Sequence, residues 1–492
     1  MRKCGILLPI FSLPSRYGIG SFSKEAYQFI DFLKAAGQSY WQILPLGPTG
    51  YGDSPYQSFS TFAGNPYFID VDEFVEKGWI TTADCKKFSC ERKDGIDYEG
   101  LYNKRTALLR KAFENSNITA DKDFRKFCKD NAFWLDDYGL YMAVKNSLNG
   151  IPWIEWDEDL RIRETKAIEK AKKEFATEID FYRFQQYFFK KQWLEIKKYA
   201  NKNGVEIVGD IPIYVAFDSS DAWANPELFD LNKENIPNAV AGCPPDPFAV
   251  TGQLWGNPLY KWDHHKKTGY EWWIKRISFC FDLYDVVRID HFRGFDEFYA
   301  IPYGDPTAEF GKWRKGPGYG LFKAINDALG ERSIIAEDLG FLTDSVRDLV
   351  KKTGYPGMKI LQFAFGGDPK SEYLPHMLSN NSIIYTGTHD NETTRGWYNR
   401  VLKEDKKSAK YIQEYTGVTE ESEMAKTLIK MAYGSVCDTA IIPMQDFLNL
   451  DNEGRINTPS TLGGNWGWRM KKGDASKALA KEILSLTKIY NR

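Results

Sequence analysis

The sequence predicts an α/β fold in which eight parallel strands and their helices form a (β/α)8 barrel, a TIM barrel. Short apolar runs that stop at polar residues are typical of strands buried on both faces, although periodicity alone does not separate them from buried helices. The runs cover residues 5–10, 40–46, 205–212, 285–290, 333–340, 358–365, 382–390 and 439–447. Helical patterns separate several of them, and this alternation of strand and helix predicts the barrel.

The first helical pattern, "SKEAYQFIDFLKAAG", follows the first run, with Ser23 as a plausible N-cap and Gly37 as a plausible stop. The amino-terminal "MRKCGILLPIF" resembles a signal peptide, but Pro9 interrupts the apolar run and no small-residue cleavage site follows. We therefore interpret it as the first buried strand.

Composition narrows the classes of protein to consider. The chain has 492 residues, of which 42% are hydrophobic and 27% are charged, with a formal charge of −2. This near-balance gives no electrostatic footprint for nucleic acid or anionic lipid. No stretch approaches the roughly 18 consecutive apolar residues of a membrane-spanning helix. The composition is typical of a soluble globular protein, so no nucleic-acid or membrane partner is expected.

The cysteines and histidines indicate neither a disulfide framework nor a metal site. The cysteines number seven and are scattered, without a C-x-x-C motif, which suits a reducing compartment and predicts a cytoplasmic protein. His264 and His265 are adjacent, so their side chains should diverge and not share a metal. No calcium-binding loop of the D-x-[DN]-x-[DN]-G type is present. We expect no metal and no cofactor.

Two long segments interrupt the alternation. Residues 72–185 are expected to form a mainly helical insertion between strands 2 and 3, after which "DFYRFQQYFFKKQWLEIKKYA" returns as a barrel helix. A coiled coil is the alternative for that run, but the heptad pattern of apolar residues does not extend over enough of the chain. Residues 213–284, rich in Gly, Pro, Trp and Asn, are expected to form a loop subdomain between strands 3 and 4 at the C-terminal face. The whole chain, 1–492, is predicted to be one catalytic barrel without a separate C-terminal β-domain.

Charged side chains stand where four of the predicted strands would emerge at this face. They are Asp210, then Arg288, Asp290 and His291, then Glu337 and Asp338, and finally His389 and Asp390. Carboxylates that converge on one mouth of the barrel repel one another and raise each other's pKa values. Such a cluster is therefore unfavourable unless cations neutralise it or catalysis requires it. Arg288 lies two residues before Asp290 and so on the same side of its strand, where it can hold Asp290 ionised. A drier Glu337 could stay protonated. Two carboxyl groups with separated pKa values suit glycoside cleavage, whereas a structural ion network is the alternative.

The segments around these residues resemble a known family. "VGDIPIYV", "VVRIDHF", "IIAEDLG" and "YTGTHDN" are similar, in this order, to the four motifs of the α-amylase clan. More particular stretches are "GILLPIFSLPSRYGIGSF", "CPPDPFAVTGQLWGNPLYKW" and "NTPSTLGGNWGWR". With them, nearly the whole chain resembles the amylomaltase or disproportionating-enzyme family of 4-α-glucanotransferases.

The resemblance implies a role for each matched residue. Asp290 would be the catalytic nucleophile, Glu337 the general acid/base, and Asp390 the carboxylate that grips the donor sugar. For His291, packing at the strand exit is as good an interpretation as substrate contact. Pro247 stands where some members carry Tyr. The other expected substrate-binding residues are Arg288, His389, Asp210, Tyr51, Ser54, Tyr56, Phe248, Gln253, Trp255, His291 and Asn465.

The function implied is transfer of α-1,4-glucan segments between maltodextrins by a retaining double displacement through a covalent glycosyl-enzyme. Maltodextrins, amylose or glycogen-derived glucans would serve as donor and acceptor. A plain α-glucan hydrolase is the alternative enzyme, and a non-catalytic glucan-binding barrel is the alternative of another class.

Overall fold

Eight parallel strands form a closed barrel in the computed structural model, which describes residues 2–50, 52–92, 95–245, 250–340 and 342–492. The strands in chain order are β1 (Lys3–Leu7), β2 (Tyr40–Gln42), β3 (Glu206–Ile211), β4 (Ala239–Cys243), β5 (Gln253–Pro258), β6 (Val286–Ile289), β7 (Glu297–Pro302), β8 (Lys312–Lys315), β9 (Ile334–Ala336), β10 (Gly357–Ile360), β11 (Ser382–Tyr385) and β12 (Thr439–Pro443). The barrel closes in the order β1-β12-β11-β10-β9-β6-β3-β2. The predicted (β/α)8 fold is confirmed.

The helices surround this barrel and fill the long connections. In chain order they are α1 (Lys24–Ala35), α2 (Asp72–Glu76), α3 (Thr82–Lys87), α4 (Tyr98–Gly100), α5 (Thr106–Asn115), α6 (Lys122–Asp130), α7 (Ala132–Ser147), α8 (Glu158–Arg161), α9 (Thr165–Glu174), α10 (Ala176–Lys202), α11 (Ser220–Ala224), α12 (Trp262–Lys267), α13 (Glu271–Leu283), α14 (Tyr319–Leu329), α15 (Asp344–Thr353), α16 (Thr394–Glu404), α17 (Lys406–Thr416), α18 (Glu421–Gly434), α19 (Met444–Phe447) and α20 (Lys477–Ile489). Between β10 and β11 the chain forms only short 3-10 turns. No helix of the described part of the chain is long and apolar enough to cross a membrane.

Side chains that alternate along the strands fill the barrel interior. This inner cluster consists of Leu7, Val208, Val286, Ile335, Met358, Ile360, Ile383, Tyr385 and Ile441. Each fully buried aliphatic side chain stabilises the fold by roughly 1.5–3 kcal/mol relative to exposure. The core below the mouth is therefore packed, and the polar residues that end the strands have a rigid support.

The connection from β2 to β3 is largely helical and contains α2 to α10. Helix α10 runs without a break from residue 176 to residue 202, so the insertion boundary expected at residue 185 falls inside one helix. Neither Gly nor Pro interrupts it, and its buried Phe181, Phe184, Phe188 and Trp193 recur at helical spacing. The same helix therefore serves the insertion and the barrel.

The segment 213–284 contains more regular structure than the expected loop subdomain. Its strands β4 and β5 join β7 and β8 in an antiparallel sheet of order β5-β4-β7-β8, and α13 is a barrel helix. Strand β8, "KWRK", is exposed along its whole length. Such a strand carries no apolar alternation, so its pairing with β7 could not be predicted from its residues. The strands of this sheet come from the chain on both sides of β6, and Trp255 of β5 contacts His291, which follows β6.

Candidate active site

The candidate catalytic residues lie next to one another because the strands that carry them are neighbours in the barrel. The Asp290 N–H donates to the carbonyl of Ile211 at 2.9 Å, and the Glu337 N–H donates to the carbonyl of Ile289 at 3.1 Å. The Phe292 N–H in turn donates to the carbonyl of Glu337 at 3.0 Å. These backbone bonds fix the exits of β3, β6 and β9 against each other at the C-terminal face.

Arg288 is the charged centre of this face. Its Nη1 lies 2.7 Å from both carboxylate oxygens of Asp210, and its Nη2 lies 2.9 Å from Oδ1 of Asp290. Its Nε donates to the sulfur of Met358 at 3.4 Å, and Tyr56 donates its hydroxyl to Asp210 at 2.7 Å. The side chains of Arg288 and Asp210 are 3% and 0% exposed. A buried ion pair of this kind is tolerated because each charge is hydrogen-bonded on several sides.

Replacing Arg288 with methionine is expected to lower the free energy of unfolding by about 3–5 kcal/mol, because it leaves the buried Asp210 carboxylate without its cation. Urea denaturation at neutral pH measures this change. The matched control is Arg314→Met, which breaks an exposed pair with Asp230 and should cost at most about 1 kcal/mol. Equal losses in the two variants would contradict the role of Arg288 as the counter-ion of the site.

Glu337 lies in a drier environment than a surface carboxyl. Its Oε2 accepts a hydrogen bond from the backbone N–H of His291 at 2.7 Å. Burial raises the pKa of Glu337 well above its ordinary value, and the negative charge of Asp290 raises it further, against the opposing effect of Arg288. His291 adopts a left-handed backbone conformation, with φ at +51°. That turn aims its N–H at Glu337.

Asp290 is also half-buried, and burial raises its pKa, while Arg288 is the largest influence that lowers it. Arg288 contacts Asp290 directly, whereas the donor that Glu337 receives is the neutral N–H of His291. As the pH rises, Asp290 therefore loses its proton before Glu337 does, so Glu337 is still protonated when Asp290 is ionised. This is the electrostatic arrangement of a nucleophile beside a general acid.

Asp390, after β11, is 45% exposed at the mouth, and its Oδ2 lies 3.4 Å from Nε2 of His389. The amide of Asn457 donates to its Oδ1 at 2.6 Å, and Arg455 donates to its backbone carbonyl at 3.2 Å. Asn457 was not among the predicted site residues, although it is the first residue of the stretch "NTPSTLGGNWGWR". The predicted Asn465 instead bonds within its own loop, since its Oδ1 accepts the Thr458 N–H at 2.9 Å.

Flat aromatic surfaces stand beside these polar groups. The rings of Tyr56 and His389 stack with their centroids 5.2 Å apart. The centroid of the Trp466 ring lies 5.9 Å from that of Tyr56 and 6.0 Å from that of His389. Trp255 meets the His291 ring edge-on at 4.8 Å. Trp466 was not among the predicted residues, although it lies in the same stretch as Asn465. Aromatic walls beside polar groups match a sugar, which has apolar faces and hydroxylated edges.

Of the remaining predicted residues, two hold neighbouring aromatic residues in place and two lie outside the described ranges. Ser54 accepts the N–H of Tyr56 at 3.3 Å and so shapes the loop that carries that ring. Gln253 accepts the indole N–H of Trp255 at 3.1 Å. Tyr51 and Phe248 lie outside the described residues. Within the described ranges, no group of three or more His, Cys, Asp or Glu side chains is arranged to hold a metal ion.

Comparisons with known proteins agree on one family. A family model described as 4-alpha-glucanotransferase matches residues 8–475. A 4-alpha-glucanotransferase of Clostridium butyricum is 52% identical over 487 residues, which cover 98% of this chain and 99% of that protein. A 4-alpha-glucanotransferase of Thermus thermophilus is 45% identical over 500 residues, with 100% and 99% covered.

A solved structure is similar over the same extent. Amylomaltase from Streptococcus agalactiae, solved in complex with acarbose, superimposes with a TM-score of 0.96 at 40% identity, and the match covers 100% of both chains. The likeness extends beyond the barrel, because it includes the helical insertion and the antiparallel sheet.

Proposed function

Because the chain belongs to the 4-alpha-glucanotransferase family and is an enzyme of that activity, we propose that it works by a retaining double displacement on α-1,4-glucans. Maltodextrins and the chains of amylose or glycogen are the proposed donors and acceptors. The observation that carries this proposal is the asymmetry between two neighbouring carboxyls. Arg288 pairs with Asp290, while the partly buried Glu337 has a backbone N–H as its hydrogen-bond donor.

In the first step Asp290 attacks the anomeric carbon of the donor sugar. Arg288 engages Oδ1, so Oδ2 is the oxygen that forms the new bond. The glycosidic bond breaks as Glu337 protonates the departing 4-oxygen. Since Oε2 of Glu337 accepts the His291 N–H, Oε1 is the oxygen that carries the proton. The products are a shortened glucan and a glycosyl ester on Asp290.

In the second step the 4-hydroxyl of an acceptor glucan attacks the same carbon. Glu337 takes the hydroxyl proton, the ester bond to Asp290 breaks, and both residues return to their starting protonation states. Two inversions at one carbon retain the α configuration. Asp390, held by Asn457, is proposed to bind donor hydroxyls, and the rings of Tyr56 and Trp255 to line the sugar faces. The Trp466 ring, which is 5% exposed, packs against Tyr56 and supports it.

Maltotriose alone should be converted by the wild-type protein into glucose and a ladder of longer maltodextrins, with total reducing ends nearly constant. A positioned sugar hydroxyl outcompetes water because good orientation is worth an effective molarity on the order of 10⁵ M or more. Chromatography of the products and a reducing-end assay on the same samples measure the two quantities. Reducing ends that rise steadily, without longer oligomers, would favour the hydrolase alternative.

The dependence of kcat/KM on pH should be bell-shaped, with its alkaline limb above the ordinary carboxyl range. Activity needs protonated Glu337, so it falls as pH rises through the raised pKa of that residue. It also needs ionised Asp290, so it falls as pH drops through the pKa of that residue. Rates on maltotriose across the pH range test this, with α-maltosyl fluoride as the control. Fluoride leaves without a proton, so the alkaline limb should vanish for that donor when azide is the acceptor.

A further inference from the structure

Asp338, which follows Glu337 in the chain, is buried between two barrel strands. Its side chain is not part of the mechanism described above. Its Oδ1 accepts the backbone N–H of Met358 at 2.7 Å, and the residue is 9% exposed. The only register pair between β9 and β10 joins Ala336 to Gly357. Just beyond that pair, the Asp338 carboxylate therefore connects the two strands where the backbone ladder stops.

Gly357 leaves the space that this carboxylate occupies. A Cβ atom at residue 357 would lie 2.4 Å from Oδ2 and 2.7 Å from Oδ1 of Asp338. Contacts that short are not tolerated, so a side chain there would displace the carboxylate from the Met358 N–H. The glycine and the aspartate thus form one interlocked contact.

The peptide between Glu337 and Asp338 is consequently held from both sides. Toward β6, the Glu337 N–H donates to the carbonyl of Ile289, and the carbonyl of Glu337 accepts the N–H of Phe292. Toward β10, Asp338 bonds to Met358. Catalytic groups must be held within a fraction of an ångström of their productive position, and such outer contacts supply that rigidity.

We propose that Asp338 is a positioning residue, which ties the end of β9 to β10 and so holds Glu337 where it can protonate the leaving oxygen. The inference rests on the proposed role of Glu337 as general acid/base. Asp338 touches neither substrate nor the reacting atoms. Its effect reaches the reaction through Glu337 alone, and that restriction makes it testable.

The charge of Asp338 adds a second, measurable effect. The groups that face this pair are Arg288 of β6 and Asp290 just after it, Lys359 of β10, Arg347 of α15, and Glu372 and Tyr373 from the segment after β10. Burial and Asp290 are the main causes that raise the pKa of Glu337, and Asp338 raises it as well. Replacing Asp338 with neutral asparagine should therefore shift the alkaline limb of kcat/KM to lower pH.

The experiment compares two donors in Asp338→Asn, Asp338→Leu and Gly357→Ala. Maltotriose needs the proton of Glu337, whereas α-maltosyl fluoride with azide as acceptor needs none. Asp338→Leu and Gly357→Ala should lose on the order of tenfold to a hundredfold in kcat/KM on maltotriose, and less than about threefold on the fluoride. Asp338→Asn keeps an oxygen that can accept the Met358 N–H, so it should recover most of the activity.

Asp285→Asn is the matched control. Asp285 accepts the backbone N–H of Ile207 at 2.8 Å, and so also joins neighbouring barrel strands, but at the N-terminal end of the barrel. Its replacement should lower thermal stability without changing the ratio of the two donors or the alkaline limb.

Equal losses on both donors, or a Gly357→Ala protein with unchanged activity on maltotriose, would overturn the inference. If Asp338→Leu and Gly357→Ala do not fold, Asp338→Ala, which removes the acceptor without adding bulk, takes their place in the same two-donor comparison, and equal losses on both donors overturn the inference. Glu337→Gln is measured in parallel. If Glu337→Gln does not lose more activity on maltotriose than on the fluoride, the proposed function fails. If Glu337→Gln shows that selective loss but the Asp338 and Gly357 variants do not, only the positioning role fails.

Discussion

Asp290→Asn should lower kcat by at least about 10⁴-fold on maltotriose and on α-maltosyl fluoride alike. The amide has the shape of the carboxylate but is a poor nucleophile, so no glycosyl ester forms with either donor. Binding of maltoheptaose, measured by calorimetry, should remain, because the substrate-lining groups that surround residue 290 are unchanged. The loss should therefore appear in kcat and not in affinity.

Two further proteins make this result decisive. Asp290→Ala excludes recovery of activity by deamidation of the asparagine, and Asp285→Asn shows the effect of the same chemical change at the other end of the barrel. Normal disproportionation by Asp290→Ala, prepared free of wild-type protein, would contradict the assignment of the nucleophile. A loss of maltoheptaose binding equal to the loss of activity would mean that Asp290 mainly holds the substrate.

Glu337→Gln should have an effect that depends on the leaving group. With maltotriose the variant cannot protonate the departing oxygen, and we expect kcat/KM to fall by roughly 10²–10⁴-fold. With α-maltosyl fluoride the first step proceeds, because fluoride is a good leaving group. The intermediate then persists, since glutamine cannot activate an acceptor hydroxyl. Mass spectrometry of the denatured protein should detect the glycosyl group on Asp290.

Azide supplies the control for this experiment. As an anion it needs no general base, so it should restore turnover of the fluoride by Glu337→Gln and give a glycosyl azide of retained α configuration. The same addition should not restore Asp290→Asn. If Glu337→Gln lost both donors equally and azide had no effect, Glu337 would not be the general acid/base.

The barrel could be predicted from the sequence because its signals are local. A strand buried on both faces must be a short apolar run, and each of the runs predicted in this chain overlaps a barrel strand. The relation of Arg288 to Asp290 is local as well, since alternation places both on one side of β6. The family resemblance added roles, because it includes loop residues that no barrel requires.

The antiparallel sheet and several site contacts could not be predicted. Strand β8 is an exposed, basic edge, and only its pairing with β7 makes it a strand. Asn457 reaches Asp390 across 67 positions of the chain. The boundary expected at residue 185 lies inside one continuous helix, α10, which serves both the insertion and the barrel.

The sequence by itself therefore determined the barrel strands, the polar residues that end them and the order in which they occur. Only the tertiary structure decided which of those polar groups touch. The pKa of Glu337 depends on burial and on Asp290 from a different strand, and the Asp338 carboxylate fits only because Gly357 has no side chain. Solvation and packing depend on residues that are distant in the chain and meet only in the folded barrel. The order of residues along the chain therefore does not reveal them.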